Sequence, residues 1–253
     1  MQYWTPASAL VVTAHPDDIE FGCAGTVARW VQEGTRVTYA LLTNGAAGSS
    51  DPTLTRARLA ELREAEQRAS AKVVGVDQVE FLGHEDGLLE PTLELRKEVV
   101  RLIRRVRPEV VVTTDPATRY VGDRYINHPD HRAAGEVTLA AVIPGSDTRL
   151  AYPELLDEGL EPVKLTAVWL IMNDRPNLVV DISDFLDRKL ESLRCHVTQV
   201  AEASETGLQF VRDRAEWTAS GQPFRYGEAF RVFRFDLPWE PPRSDPEAPL
   251  SEA

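Results

Sequence analysis

Two short clusters hold the residues that could do chemistry. His15-Pro16-Asp17-Asp18 and His128-Pro129-Asp130-His131 each set imidazoles and carboxylates within a few positions of one another. These side chains ligate metals. Imidazole and carboxylate suit zinc, with another divalent ion as a substitute, and a catalytic zinc keeps three protein ligands and one position open for water. The clusters offer more groups than three ligands need, as a metal-dependent hydrolase requires. One spare group takes the proton from the water, and another protonates the leaving amine or stabilises the oxyanion. Either cluster alone is a weak signal, since Pro-Asp pairs are common in turns. Their joint placement carries the argument.

That placement follows from the elements around them. Ala9–Ala14 is a short continuous apolar run, the pattern of a buried parallel strand. Gly22–Glu33 reads as a helix with Gly34 after its end, and Arg36–Leu42 as the next strand. Asn44–Pro52 is a loop, Thr55–Val73 a long charged helix, Gln78–Leu82 a third strand and Pro91–Val106 a helix. Glu109–Thr114 is a fourth strand, and a helix runs from about Asp130 to Val142. Repeated strand–helix units predict an α/β, Rossmann-like fold: a mainly parallel twisted sheet with helices on both faces. Ligands of such sheets bind beyond the C-terminal strand ends. With the usual order 3-2-1-4, the loops after strands one and four face each other, and those loops hold the two clusters.

Later segments are less regular. Leu165–Met172 and Leu178–Ile182 read as strands, as a hairpin or an edge addition. Ser183–Val197 and Ala203–Ala215 read as helices, and Phe230–Phe235 as a half-exposed strand. The expectation is one domain over 1–236, with a Pro- and acid-rich disordered tail over 237–253.

Composition narrows the function further. Lys plus Arg total 28 against 40 Asp plus Glu, a net charge of -12, which disfavours nucleic acid and anionic membranes as partners. Cys23 and Cys195 are too few for a disulfide framework and read as two buried thiols in a reducing compartment. The N-terminus lacks a basic region followed by a long apolar stretch, so a cytoplasmic location is expected. No GxSxG elbow and no GxxxxGK[ST] loop occur, and Gly22-Cys23-Ala24-Gly25 is not a dinucleotide fingerprint.

The run Ala14-His15-Pro16-Asp17-Asp18-Ile19-Glu20 resembles the AHPDDE signature of the LmbE-like, or PIG-L, N-acetylglucosaminyl deacetylases. His128-Pro129-Asp130-His131 resembles their second motif, HxDH. Weaker likenesses extend over about residues 9–235: Leu42–Gly45, Arg63 with Glu66 and Gly75-Val76, Asp86-Gly87, and Lys189 through His196 and Gln199. The resemblance implies removal of an N-acetyl group from an N-acetylglucosamine-type sugar or conjugate by metal-bound water. It implies His15, Asp18 and His131 as zinc ligands and Asp17 as general base. His128 would be the charged group that stabilises the oxyanion or protonates the amine, and Asp130 would orient a histidine. Arg63 would reach the substrate; read without the resemblance it is a solvated helix arginine.

The chain departs from the family pattern in Ala117–Asn127, a long basic and aromatic approach to the second motif. There Arg119, Tyr120, Arg124 and Tyr125 would line the substrate mouth and set specificity. His84 reads as a turn residue and His196 as a buried, hydrogen-bonded histidine. Two other readings compete: a 2-His-1-carboxylate iron oxygenase, which normally sits on an all-β jelly roll, and a non-catalytic sugar-binding module. The expected partner is a small amino sugar, and a homo-oligomer is compatible with the chain.

Overall fold

The computed structural model describes residues 1–121, 123, 125–200 and 204–238. Arg124 and the expected tail from 239 onward lie outside the described residues.

The sheet begins with the apolar runs. β1 (Ser8–Thr13) is buried along its whole length. It pairs in parallel with β2 (Arg36–Thr43) on one side and β4 (Val110–Thr114) on the other. β3 (Gln78–His84), β7 (Ala167–Ile171), β8 (Leu178–Asp181) and β9 (Gly227–Arg234) complete the order β3-β2-β1-β4-β7-β9-β8. β9 runs antiparallel to both neighbours and separates β7 from β8, so those two are not a hairpin. A separate antiparallel pair, β5 (Tyr120–Val121) and β6 (Tyr125–Ile126), rises between β4 and the second motif.

The period-two alternation of strands divides the core between the two faces. Ala9, Val11, Val110, Val112 and Trp169 point to one apolar layer, and Leu10, Val12, Val111 and Val168 to the other. On the first face lie α1 (Asp18–Gly22), α2 (Ala24–Gln32), α3 (Arg56–Val74), α7 (Leu186–Arg194) and α9 (Ser204–Thr218). On the second lie α4 (Leu93–Val106) and α5 (Pro129–Ala140), continued by a wider turn over Ala141–Ser146. Short helices α6 (Glu154–Asp157) and α8 (Val197–Val200) finish the set.

The helix expected over Gly22–Glu33 starts earlier and is broken. It opens at Asp18 and parts at Cys23, whose φ of -151° is not helical. The break lets α1 stay at the strand end while α2 lies along the sheet. Helix ends follow their caps: the Thr55 and Thr92 hydroxyls accept from the amides of Arg58 and Leu95, and Gly75 closes α3 at φ 87°. Both cysteines are free; Cys23 is buried, but Cys195 is only half-buried, in contrast to the expected pair of buried thiols. No described helix is long and apolar enough to cross a membrane.

Candidate metal centre

The loops after β1 and β4 meet because their strands are neighbours. Register Ala9↔Val110 through Val12↔Thr113 sets the first motif beside the second. His15 sits one residue past Ala14, and His131 sits in the first turn of α5, which starts at Pro129. The His128 ring caps that helix, its Nδ1 accepting from the Asp130 amide at 3.2 Å. Proline at the first helical position removes an amide that would have lacked a partner.

Ligand atoms of His15, Asp18 and His131 all lie within 4.8 Å of one another. Asp18 is clamped from below: one oxygen accepts from the Ala14 and His15 amides at 3.1 and 2.9 Å. Its other oxygen is 2.9 Å from His131 Nε2. The far nitrogen of His131, Nδ1, contacts Asn127 Oδ1 at 3.0 Å, which directs Nε2 toward Asp18. The His15 Nε2 atom is 3.1 Å from both Asp86 and Asp130, leaving Nδ1 toward Asp18. Two imidazoles and a carboxylate, each oriented by a second polar group, are the donor set and support expected of a catalytic zinc site. The residues fit the ion.

Electrostatics favour a cation there. Burial opposes charge on His15, yet Asp130, Asp18 and Asp86 together lift it to about 12. Acids that hold a proton so firmly also favour a divalent ion in its place. Burial would raise Asp18, but His131 and His15 keep it well below the ordinary carboxylate range. Burial also lowers His128, and the charge of His15 adds to that. His128 is thus disposed to be neutral rather than the charged group the resemblance implies, and with Nδ1 accepting from a backbone amide it carries its proton on Nε2.

Asp17 lies beside the triad with φ 93°. Burial and the neighbouring Asp18 push its carboxyl up against the pull of Arg63, to about 7. Arg63 is not a solvated helix arginine. It is buried, giving Nη1 to Gly45 O at 2.9 Å and Nη2 to Pro16 O at 2.7 Å and Asp17 at 3.3 Å. Asp130 contacts His15 and accepts from the Gly87 amide at 2.8 Å, while His128 Nδ1 is 3.9 Å away. The histidine it orients is therefore His15.

Arg119 and Tyr120 are exposed on the approach to the second motif, as is Tyr125. His84 ends β3 rather than sitting in a turn, and its Nε2 is 2.8 Å from Glu98. His196 is fully buried with Nε2 3.3 Å from Glu20, an ion pair rather than an aligned hydrogen bond. Four site residues escaped the reading of the sequence in any supporting role: Glu20, Gln67, Asp86 and Asn127. Asp86 and Glu20 were visible only as parts of motifs. Gln67 carries no local signal, because its partners lie 47 and 50 positions away, and Asn127 stands four residues before His131 without a motif to mark it.

A mainly parallel sheet with an imidazole–carboxylate pocket past its strand ends defines a class of α/β metal-site proteins, not the jelly roll of the iron oxygenases. Residues 10–142 match the family profile of PIG-L, GlcNAc-PI de-N-acetylase. The diacetylchitobiose deacetylase of Thermococcus kodakarensis is 35% identical over 223 residues, covering 88% of this chain and 81% of that protein. A 1D-myo-inositol 2-acetamido-2-deoxy-alpha-D-glucopyranoside deacetylase of Actinosynnema mirum is 31% identical, covering 79% and 83%. The solved N,N'-diacetylchitobiose deacetylase of Pyrococcus horikoshii superposes with a TM-score of 0.84 at 31% identity, covering 90% of this chain and 84% of that one. This chain belongs to the PIG-L, or LmbE-like, family.

Proposed function

We propose that this chain is a zinc-dependent N-deacetylase that hydrolyses the acetamide of an N-acetylglucosamine-type sugar or sugar conjugate. The observation that carries the reading is the convergence of His15, Asp18 and His131 with Asp17 beside them. A zinc ion held by the three ligands would lower the pKa of a bound water to about 7 and polarise the amide carbonyl. Asp17, poised near neutrality, accepts the proton that the attacking water loses and returns it to the sugar nitrogen as the C–N bond breaks, freeing acetate and the amine. Arg63 fixes the direction of that carboxylate. The Nε2–H of His128 donates to the oxygen that becomes negative on attack. Asp130 and Asp86 hold the His15 ring.

The exposed Arg119, just before the strand pair that precedes His128, and Tyr120 on it, together with Arg124, are assigned to substrate selection. One sheet takes strands from Ser8 to Arg234, which supports a single catalytic domain over residues 1–236. The acidic balance of the chain supports a small-molecule partner rather than a polyanion.

The direct test is acetate release from a panel of N-acetylated amino sugars, free and conjugated, by the zinc-loaded chain. Release from at least one, abolished by chelation and restored by zinc, is expected. Zinc-loaded protein that frees no acetate from any of them would defeat the reading.

A further inference from the structure

Asp17 is held in a backbone conformation that a residue with a Cβ rarely adopts, at φ 93°. Such a conformation persists only where the surroundings enforce it. The Asp17 amide donates to Gln67 Oε1 at 3.0 Å. Gln67 is fully buried in the middle of α3, so its side chain has no water to turn to. Its Nε2 donates to Glu20 Oε1 at 2.9 Å. The same oxygen accepts from Ser70 Oγ at 2.6 Å, and His196 stands 3.3 Å from the other. A carboxylate only accepts, so Glu20 compels the Gln67 amide to turn its NH2 inward and its oxygen toward Asp17. The reversed amide would set NH2 against the Asp17 N–H and oxygen against oxygen.

We propose that Gln67, oriented by Glu20, is a positioning residue that holds Asp17 in its left-handed conformation for the reaction. The proposal rests on the deacetylase reading above. A buried amide with a purely structural role would lower stability when replaced and leave the chemical step alone. A positioning role predicts a loss that passes through Asp17.

The test uses the zinc-loaded full chain and the N-acetylated sugar that the wild type cleaves fastest. Gln67→Met keeps the length and removes both hydrogen bonds. It should lower kcat by about tenfold or more while KM and zinc content stay within about twofold. In a D17N background the same substitution should cost less than about twofold, because the group it positions is gone. Q67E sets two carboxylates face to face and should be equally impaired. Q67E/E20Q reverses the donor and acceptor and should recover to within about threefold of wild type. This swap against Q67E decides the matter even if Q67M does not fold. A kcat within twofold of wild type in Q67M, an undiminished loss in the D17N background, or no recovery in the swap overturns the proposal. A wild type that releases no acetate defeats the deacetylase reading instead. The role of Gln67 is then judged by a crystal structure of Q67M, where Asp17 remaining near its present φ overturns it.

Discussion

His15 Nε2 lies 3.1 Å from Asp130 Oδ2, although 115 positions separate them in the chain. The parallel register of β1 with β4 makes that contact, by bringing the loop after each strand to the same end of the sheet. The site is therefore an assembly of loops at one end of the sheet, with Asp86 and Gly87 after β3 joining the two motifs. Its properties should respond to ligands, their supports and the packing beneath in separable ways.

Loss of a ligand should empty the site. Asp18→Ala and His131→Ala each remove one corner of the triad within 4.8 Å. Zinc affinity, measured by competition with a chelating dye, should fall by more than about 100-fold, beyond what loss of a supporting residue costs. Full zinc occupancy in either variant would sink the ligand assignment.

Asp17→Asn should separate binding from turnover. The amide cannot take a proton from water, so kcat should drop by about 10²–10⁴-fold. Zinc content should stay at the wild-type level, because Asp17 is no part of the triad. Elemental analysis of the purified variant checks this, and loss of the ion would reassign Asp17 as a ligand.

Asn127 should matter to the ion without touching it. Its Oδ1 holds His131 Nδ1 at 3.0 Å, and its Nδ2 donates to Thr118 O at 2.7 Å. Asn127→Ala frees the ring and unfastens the base of the β5–β6 pair. Zinc affinity should weaken by about 10–100-fold, read by the same competition.

The Glu20–His196 pair should make stability depend on pH from both sides. Burial opposes both charges, but His196, Ser70 and Gln67 bring Glu20 below its ordinary 4.5, and Glu20 raises His196 above 6.5. Glu20 thus adds stability above pH 4.5, lost as pH falls through its lowered value. His196 adds stability below pH 6.5, lost as pH rises through its raised value. His196→Leu should cost about 3 kcal/mol near pH 6 by leaving a buried acid short of its partner. Its melting temperature should also change less than that of the wild type as pH rises above 6.5. Parallel curves for the two proteins would refute the pairing.

Gly135 tests how the second loop is seated. A Cβ there would meet Thr114 O at 2.3 Å and the Pro116 ring at 2.8 Å. Backbone cannot yield as a flexible side chain does, so α5 would have to move off β4. Gly135→Ala should destabilise by about 1–3 kcal/mol in urea denaturation and weaken zinc binding along with it. Wild-type stability would show that the helix has slack.

Residue types and spacing by themselves determined the core of this protein. Buried parallel strands are short continuous apolar runs, so β1, β2 and β4 announced themselves. Strand-end loops are where such sheets work, so the two motifs did as well. Tertiary structure alone decided what stands behind them. The strand order set β9 between β7 and β8, a long-range pairing with no local mark. The break at Cys23 follows Gly22, whose missing Cβ lets the end of α1 press on Ile171 of β7, a contact the sequence does not show. Arg63 was legible as a helix residue but not as one turned inward, because three of its acceptors belong to other segments. Gln67 is the clearest instance. An amide in a helix can face water or core, and only the buried Glu20 beside it and the Asp17 amide ahead of it define which way it points.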